Sequence, residues 1–275
     1  MAEGTAGVPQ RGVGDGPEAA RPADARPAAG DAPAEGRPAW YAARQGRLRD
    51  WVTVLHLPYT GWHLSYVLVG AGLAPQVHIG RLVATLAAFA LAVGVAAHAL
   101  DEMRGRPLGT SIPAPALAGA AGVSLGGAVV LGAFGISRVG WGLVAFMAAG
   151  VTLVVVYNLE LGRGWLHNDA TFAAAWGVFP LVTAYYAQAS TLRLAVLPAA
   201  VFAYGLSRAQ RILSTDARLL RRRVVSVAGE RVCADGTRQA ISRSSLLAPL
   251  EGALVALSWS TAALGVALVL AGSGL

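Results

Sequence analysis

"IGRLVATLAAFALAVGVAAHALDEMRGRPLGTSIP" runs from Ile79 to Pro113. Between Leu82 and Leu100 it contains no Asp, Glu, Lys or Arg. About 20 such residues in a helix cross a hydrocarbon core about 30 Å thick. The apolar run then ends on two adjacent acids, Asp101 and Glu102, followed by Arg104 and Arg106. The stretch therefore reads as a membrane helix that leaves the bilayer at a charged cluster.

The rest of the chain has the same character. It is 275 residues long, 55% hydrophobic and 13% charged, against about 25% charged in a soluble domain. Apolar runs at Trp51–Leu73, Ile79–Leu100, Ala114–Phe134, Val139–Leu161, Ala170–Ala189, Leu192–Leu213 and Leu246–Leu270 predict about seven transmembrane helices. The fold class is an all-α, polytopic membrane helix bundle. Pro58, Pro180 and Pro198 fall inside these runs and predict kinks. Frequent Gly and Ala permit close helix contacts. Residues 1–45 are rich in Ala, Pro, Gly and Arg and read as a disordered cytoplasmic tail without the apolar core of a signal peptide. Residues 46–275 form the membrane domain. A single cysteine, Cys233, excludes an intrachain disulfide and a multi-cysteine metal site.

All 22 basic residues are arginine and the net charge is +7. The arginines sit in loops, so topology and lipid phosphates explain them better than nucleic acid does. Arg44, Arg47, Arg49, Arg104, Arg106, Arg163 and the loop after the sixth run mark one side; Arg81, Arg138 and Arg193 mark the other. The positive-inside rule places the richer side in the cytoplasm, with the amino terminus inside and the carboxyl terminus outside. Asp101, Glu102, Glu160, Asp169, Asp216 and Glu251 all fall on or near that face.

Three stretches there carry chemistry. His98, Asp101 and Glu102 share a helical face by i, i+3 and i+4 spacing. Paired carboxylates at a cavity suit Mg²⁺, which takes one or two carboxylates plus phosphate oxygens; a solvated helix end paired to Arg104 and Arg106 is the plain alternative. Arg208, Arg211 and Thr215 share a face of the sixth run, with Asp216 beside them, and arginine forks match phosphate oxygens. Tyr157, Asn158, Glu160, Arg163, His167, Asn168 and Asp169 form a polar link between the fourth and fifth runs. Either Asn168 or Asp169 there is placed to cap a helix.

Acids ending the second helix, "RPLGTSIP" after them, "YN…GR…ND" before the fifth helix and an acid ending the sixth together resemble the UbiA superfamily of intramembrane prenyltransferases. The resemblance covers about residues 47–270. It implies Mg²⁺ bound by Asp101, Glu102 and Asp216, which would be the catalytic and metal-binding acids. Arg106, Arg163, Arg208, Arg211, Tyr157 and Asp169 would bind the diphosphate. The sequence departs from that pattern in three ways: the first motif reads His98-Ala-Leu-Asp101-Glu102, Asp216 stands alone, and seven runs replace nine helices.

The expected function is transfer of a prenyl group from a prenyl diphosphate to a lipophilic or phosphorylated acceptor by an integral cell-membrane enzyme. A terpene cyclase and a catalytically silent membrane protein that binds a lipid or a partner are the alternatives. Residues 214–245 form a cytoplasmic loop, with a predicted hairpin in "VVSVAGERVCADGTRQAIS", that serves either as a lid or as a plain connection. Glu251 suits the first turns of a helix. His56, His63 and His98 read as packing residues, with a metal or haem site as the weaker alternative.

Overall fold

The structure is a computed structural model and describes residues 46–274. The expected tail lies outside the described residues. The protein is an all-α membrane bundle whose helical legs run alternately between two ends. Helix α1 covers Arg47–Val54 and α2 Leu57–Gly72. Helix α3 covers Ile79–Met103, α4 Ala114–Val139, α5 Leu143–Asn158 and α6 Asp169–Ala189. Helix α7 covers Val196–Arg222 and α8 Arg243–Ser273.

Four helices, α3, α4, α6 and α8, are long and apolar enough to cross a membrane. The other three expected spans differ for local reasons. The first run is split: His56 takes a left-handed conformation (φ 45°) and α2 restarts with Pro58 in its first turn. Pro58 has no N–H to give the carbonyl four residues earlier, so the helix cannot run through. The fourth run is shortened to Leu143–Asn158 because α4 extends to Val139 and Gly140 breaks the chain with φ 106°. Helix α7 is long, but its second half carries Arg208, Arg211, Asp216 and Arg218.

The caps follow from sequence. Asn168 Oδ1 accepts from the Thr171 N–H at 2.9 Å and starts α6. Ser242 and Ser245 form a reciprocal capping box that starts α8. The predicted hairpin is present, with β1 (Glu230–Val232) antiparallel to β2 (Arg238–Ala240), and its strands are exposed. Pro198 lies in the first turn of α7, where no kink arises. Pro180 follows a wide π-helical turn at Ala174–Val178. A second π-helical segment, Ala90–Ala97, lies inside α3.

Helix α2 lies at the centre. Its Trp62, Tyr66 and Val69 pack with Leu181, Tyr185 and Leu254, while Val67 joins a second core with Phe89, Val93, Leu117, Val154 and Trp176. Glycine sets the helix spacing: a Cβ on Gly70 would stand 2.0 Å from the Leu181 carbonyl oxygen.

Candidate functional site

The charged ends of α3, α5 and α7, the turn after α5 and the start of α6 meet at one end of the bundle. Tyr157, at the foot of α5, lies at their centre. Its ring stacks on His167 with centroids 4.6 Å apart and meets Trp176 edge-on at 5.7 Å. Tyr157 lies within electrostatic reach of Arg211, Asp101, Asp169 and Arg218. Asp101 in turn is within reach of His167, Arg218 and Glu160. His167 Nδ1 donates to the Tyr157 carbonyl at 3.3 Å, which holds the connecting loop against the tyrosine.

Arg208 and Arg211 converge on Asp169 at 3.2 and 3.0 Å. Arg211 also lies over the Phe172 ring, 4.9 Å from its centroid. Thr215 donates to the Arg211 carbonyl, and Arg218 donates to the Thr215 hydroxyl. The face of α7 read from the sequence thus continues one turn further, to Arg218. The spacing 211, 215, 218 is helical, so the sequence already held the signal for Arg218.

The two acids of α3 have different surroundings. Glu102 is 1% exposed. Its carboxylate accepts from the Leu108 N–H at 2.9 Å, the Thr110 N–H at 2.9 Å and the Thr110 hydroxyl at 2.8 Å. It therefore organises the loop after α3. The Asp101 carboxyl forms no hydrogen bond or ion pair within the described residues, and neither does the Tyr157 hydroxyl, which is buried. Two polar groups at the centre of the cluster are thus unspent.

The remaining expected residues are spread around this centre. Asp216 is exposed and shares the outward face of α7 with the exposed Ile212 and Leu219, so α7 brings Arg218, not Asp216, to Asp101. Arg106 has a left-handed backbone (φ 52°) and folds onto its own loop, donating to the Ile112 and Thr110 carbonyls. Arg163 is exposed in a tight turn, with φ 68°. Arg104 pairs with Glu160 at 3.2 Å and bonds the Leu159 carbonyl, tying α3 to the turn after α5. Glu251, read from sequence as suiting the first turns of a helix, forms a two-pronged ion pair with Arg221 at 2.5 and 2.7 Å. Asp50 is a further residue that sequence reasoning passed over. The Ser111 hydroxyl and N–H donate to it and hold its carboxyl below the usual range.

The Mg²⁺ site implied by Asp101, Glu102 and Asp216 does not fit this donor set. Both Glu102 oxygens are occupied by the loop, and Asp216 faces outward. Among the described residues no three His, Cys, Asp or Glu side chains gather as they would around a metal ion. The histidines are likewise committed elsewhere. His56 and His98 stack with centroids 4.5 Å apart, and His63 faces the Trp176 carbonyl at 2.7 Å.

A cavity of about 750 Å³ lies apart from this cluster, between α3, α4, α5 and α6. It runs from His78 and Arg81 at the far end of the bundle down to Val154, Ala175 and Trp176. Trp176 thus stands between the cavity and Tyr157. No protein-family model, characterised protein or solved structure matches the chain.

Proposed function

We propose that the protein acts on a prenyl diphosphate at its arginine-rich end, as an intramembrane transferase of the UbiA type. The supporting observation is the pair of unspent groups, Asp101 and the buried Tyr157 hydroxyl, facing Arg211 and Arg218. A diphosphate oxygen accepts from the Tyr157 O–H, and the guanidinium groups of Arg211 and Arg218 take up its charge. The prenyl C–O bond breaks, and the diphosphate leaves with the electron pair. The allylic cation is captured by the acceptor nucleophile, whose proton passes to Asp101. The gathering of arginines at one end of the bundle supports this reading, because it puts the diphosphate where its charge is met. No step is assigned to Mg²⁺, given the donor set described above.

The test is incubation of purified protein with labelled prenyl diphosphates of several lengths, with and without acceptor lipids, followed by product extraction. Release of diphosphate that depends on both Asp101 and Tyr157 supports the reading; a product formed without acceptor points to a cyclase. Tyr157→Phe should weaken diphosphate binding by about tenfold, the worth of one hydrogen bond to a charged group. One observation favours a second reading. With Glu102 committed to its loop, a silent lipid-binding protein explains the same arginines, and diphosphate binding without turnover would select it.

A further inference from the structure

We propose that the cavity at the far end of the bundle is a second lipid site, which holds an acyl chain of a phospholipid with a net anionic headgroup from the leaflet on that side. It is separate from the prenyl diphosphate reading and stands or falls independently of it. Three observations carry it.

The first is shape and lining. At about 750 Å³ the cavity lies within the range of small-molecule sites, roughly 300–1,000 Å³. Its wall combines aromatic side chains such as Phe89, Phe146 and Phe179 with small ones such as Ala88, Ala128 and Gly132. The small residues leave the space and the aromatic rings make it apolar, which suits a flexible hydrocarbon chain.

The second is charge. Residues 72–81, 134–146 and 187–197 form this end of the bundle and contain Arg81, Arg138 and Arg193 but no Asp or Glu. Arg81 lines the mouth and is fixed there by donating to the Gln188 and Arg138 carbonyls. The Arg138 side chain also lines the mouth, is exposed, and makes no hydrogen bond or ion pair within the described residues. Fixed positive charge with no acidic side chain beside it calls for an external anion. At a membrane surface that anion is a lipid phosphate.

The third is an orphaned hydroxyl. Thr183 lines the same cavity, and its Oγ1 is buried with no hydrogen-bond partner. It lies four residues before Ala187, whose carbonyl Arg81 also reaches, so it sits about 6 Å deeper along α6. The ester carbonyl of an acyl lipid lies just below its phosphate and accepts from such a hydroxyl. A chain without an ester would leave Thr183 unpaired.

Photo-crosslinking tests this. The full chain, in vesicles or nanodiscs, receives phosphatidylglycerol bearing a diazirine at the end of one acyl chain, with phosphatidylcholine carrying the same group as the comparison. The expected crosslinks fall deep in the cavity, at residues such as Val93, Val154 and Trp176, and favour the anionic lipid. Arg138→Gln, at an exposed position, should reduce them about fivefold, a change of about 1 kcal/mol. Ala88→Phe should reduce them by filling the space, with thermal stability retained. Labelling confined to outward-facing residues such as Val123 would overturn the proposal. So would equal labelling by the two lipids, or a cavity closed by a second copy of the chain in crosslinked dimers.

Discussion

Replacing Glu102 separates an architectural acid from a metal-binding one. Glu102→Gln preserves shape and turns one oxygen into an NH₂ donor. If the amide nitrogen takes the Oε2 position it faces the Leu108 N–H; if it takes the Oε1 position it faces the Thr110 N–H. The Thr110 hydroxyl can rotate, but neither backbone N–H can, so one N–H loses its partner in either orientation. A hydrogen bond to a charged group contributes about 1.5–3 kcal/mol and a neutral one about 0.5–1.5 kcal/mol. One bond is lost and the others fall to neutral strength, while a neutral side chain costs less to bury. The net expectation is about 2–4 kcal/mol of destabilisation. The assay is denaturant or thermal unfolding in a fixed lipid–detergent mixture, with Asp101→Asn in parallel. Asp101→Asn should leave the midpoint almost unchanged, because that side chain bonds nothing in the fold. A wild-type midpoint for Glu102→Gln, or an equal loss in both variants, would refute the division of labour between the two acids.

Three other perturbations follow from the packing and the ion pairs. Gly70→Ala should destabilise by about 3 kcal/mol or more, since its Cβ meets the Leu181 backbone, which cannot swing aside; an unfolding midpoint equal to wild type contradicts the α2–α6 contact. Asp50 has a folded pKa below its unfolded value, so its contribution is complete above the ordinary carboxylate pKa near ~4 and fades as pH falls through the folded value. Asp50→Asn should therefore be less stable near neutral pH and converge with wild type as pH falls through the folded value, as read from unfolding midpoints across the acid range. Arg221→Leu strands the half-buried Glu251 and should cost about 2 kcal/mol, most of it recovered in Arg221→Leu/Glu251→Leu; a double variant no better than the single one would show that the pair itself stabilises.

The bundle was legible because hydrophobic runs are long signals, and α3, α4, α6 and α8 lie where they were expected. The end of the bundle at which Tyr157, Asp169, Arg208 and Arg211 meet was legible too, through alternation of the runs. What adjacent residues do there was harder to read. Asp101 and Glu102 are neighbours on a helix, about 100° apart around its axis, and the loop at Leu108–Thr110 takes the Glu102 carboxylate for itself. The pattern 211, 215, 218 likewise points away from Asp216. The roles of Glu102 and Asp50 depended on a loop, at Leu108–Ser111, whose path no periodicity encodes.

The interior histidines show how this bundle keeps charge at its ends. Pro180 has no N–H, so the Trp176 carbonyl four residues earlier loses its helical donor. His63 lies 2.7 Å from that carbonyl. A carbonyl only accepts, so the His63 proton resides on Nδ1 and the ring serves as the missing amide. His98 Nδ1 makes a similar contact, 3.2 Å from the Gly94 carbonyl in the π-helical segment of α3. An unpaired carbonyl in a dry interior costs about 1–3 kcal/mol, and a neutral imidazole offsets that without importing a charge. Two histidines spent this way do not form a metal site. The irregular turns they support carry Val93 and Trp176, which close the floor of the far cavity. The proline therefore shapes the apolar compartment as well as the helix. Pro180→Ala would return the amide to Trp176, displace His63 as donor and draw α6 back toward regular α-helix, moving the tryptophan that separates the cavity from Tyr157.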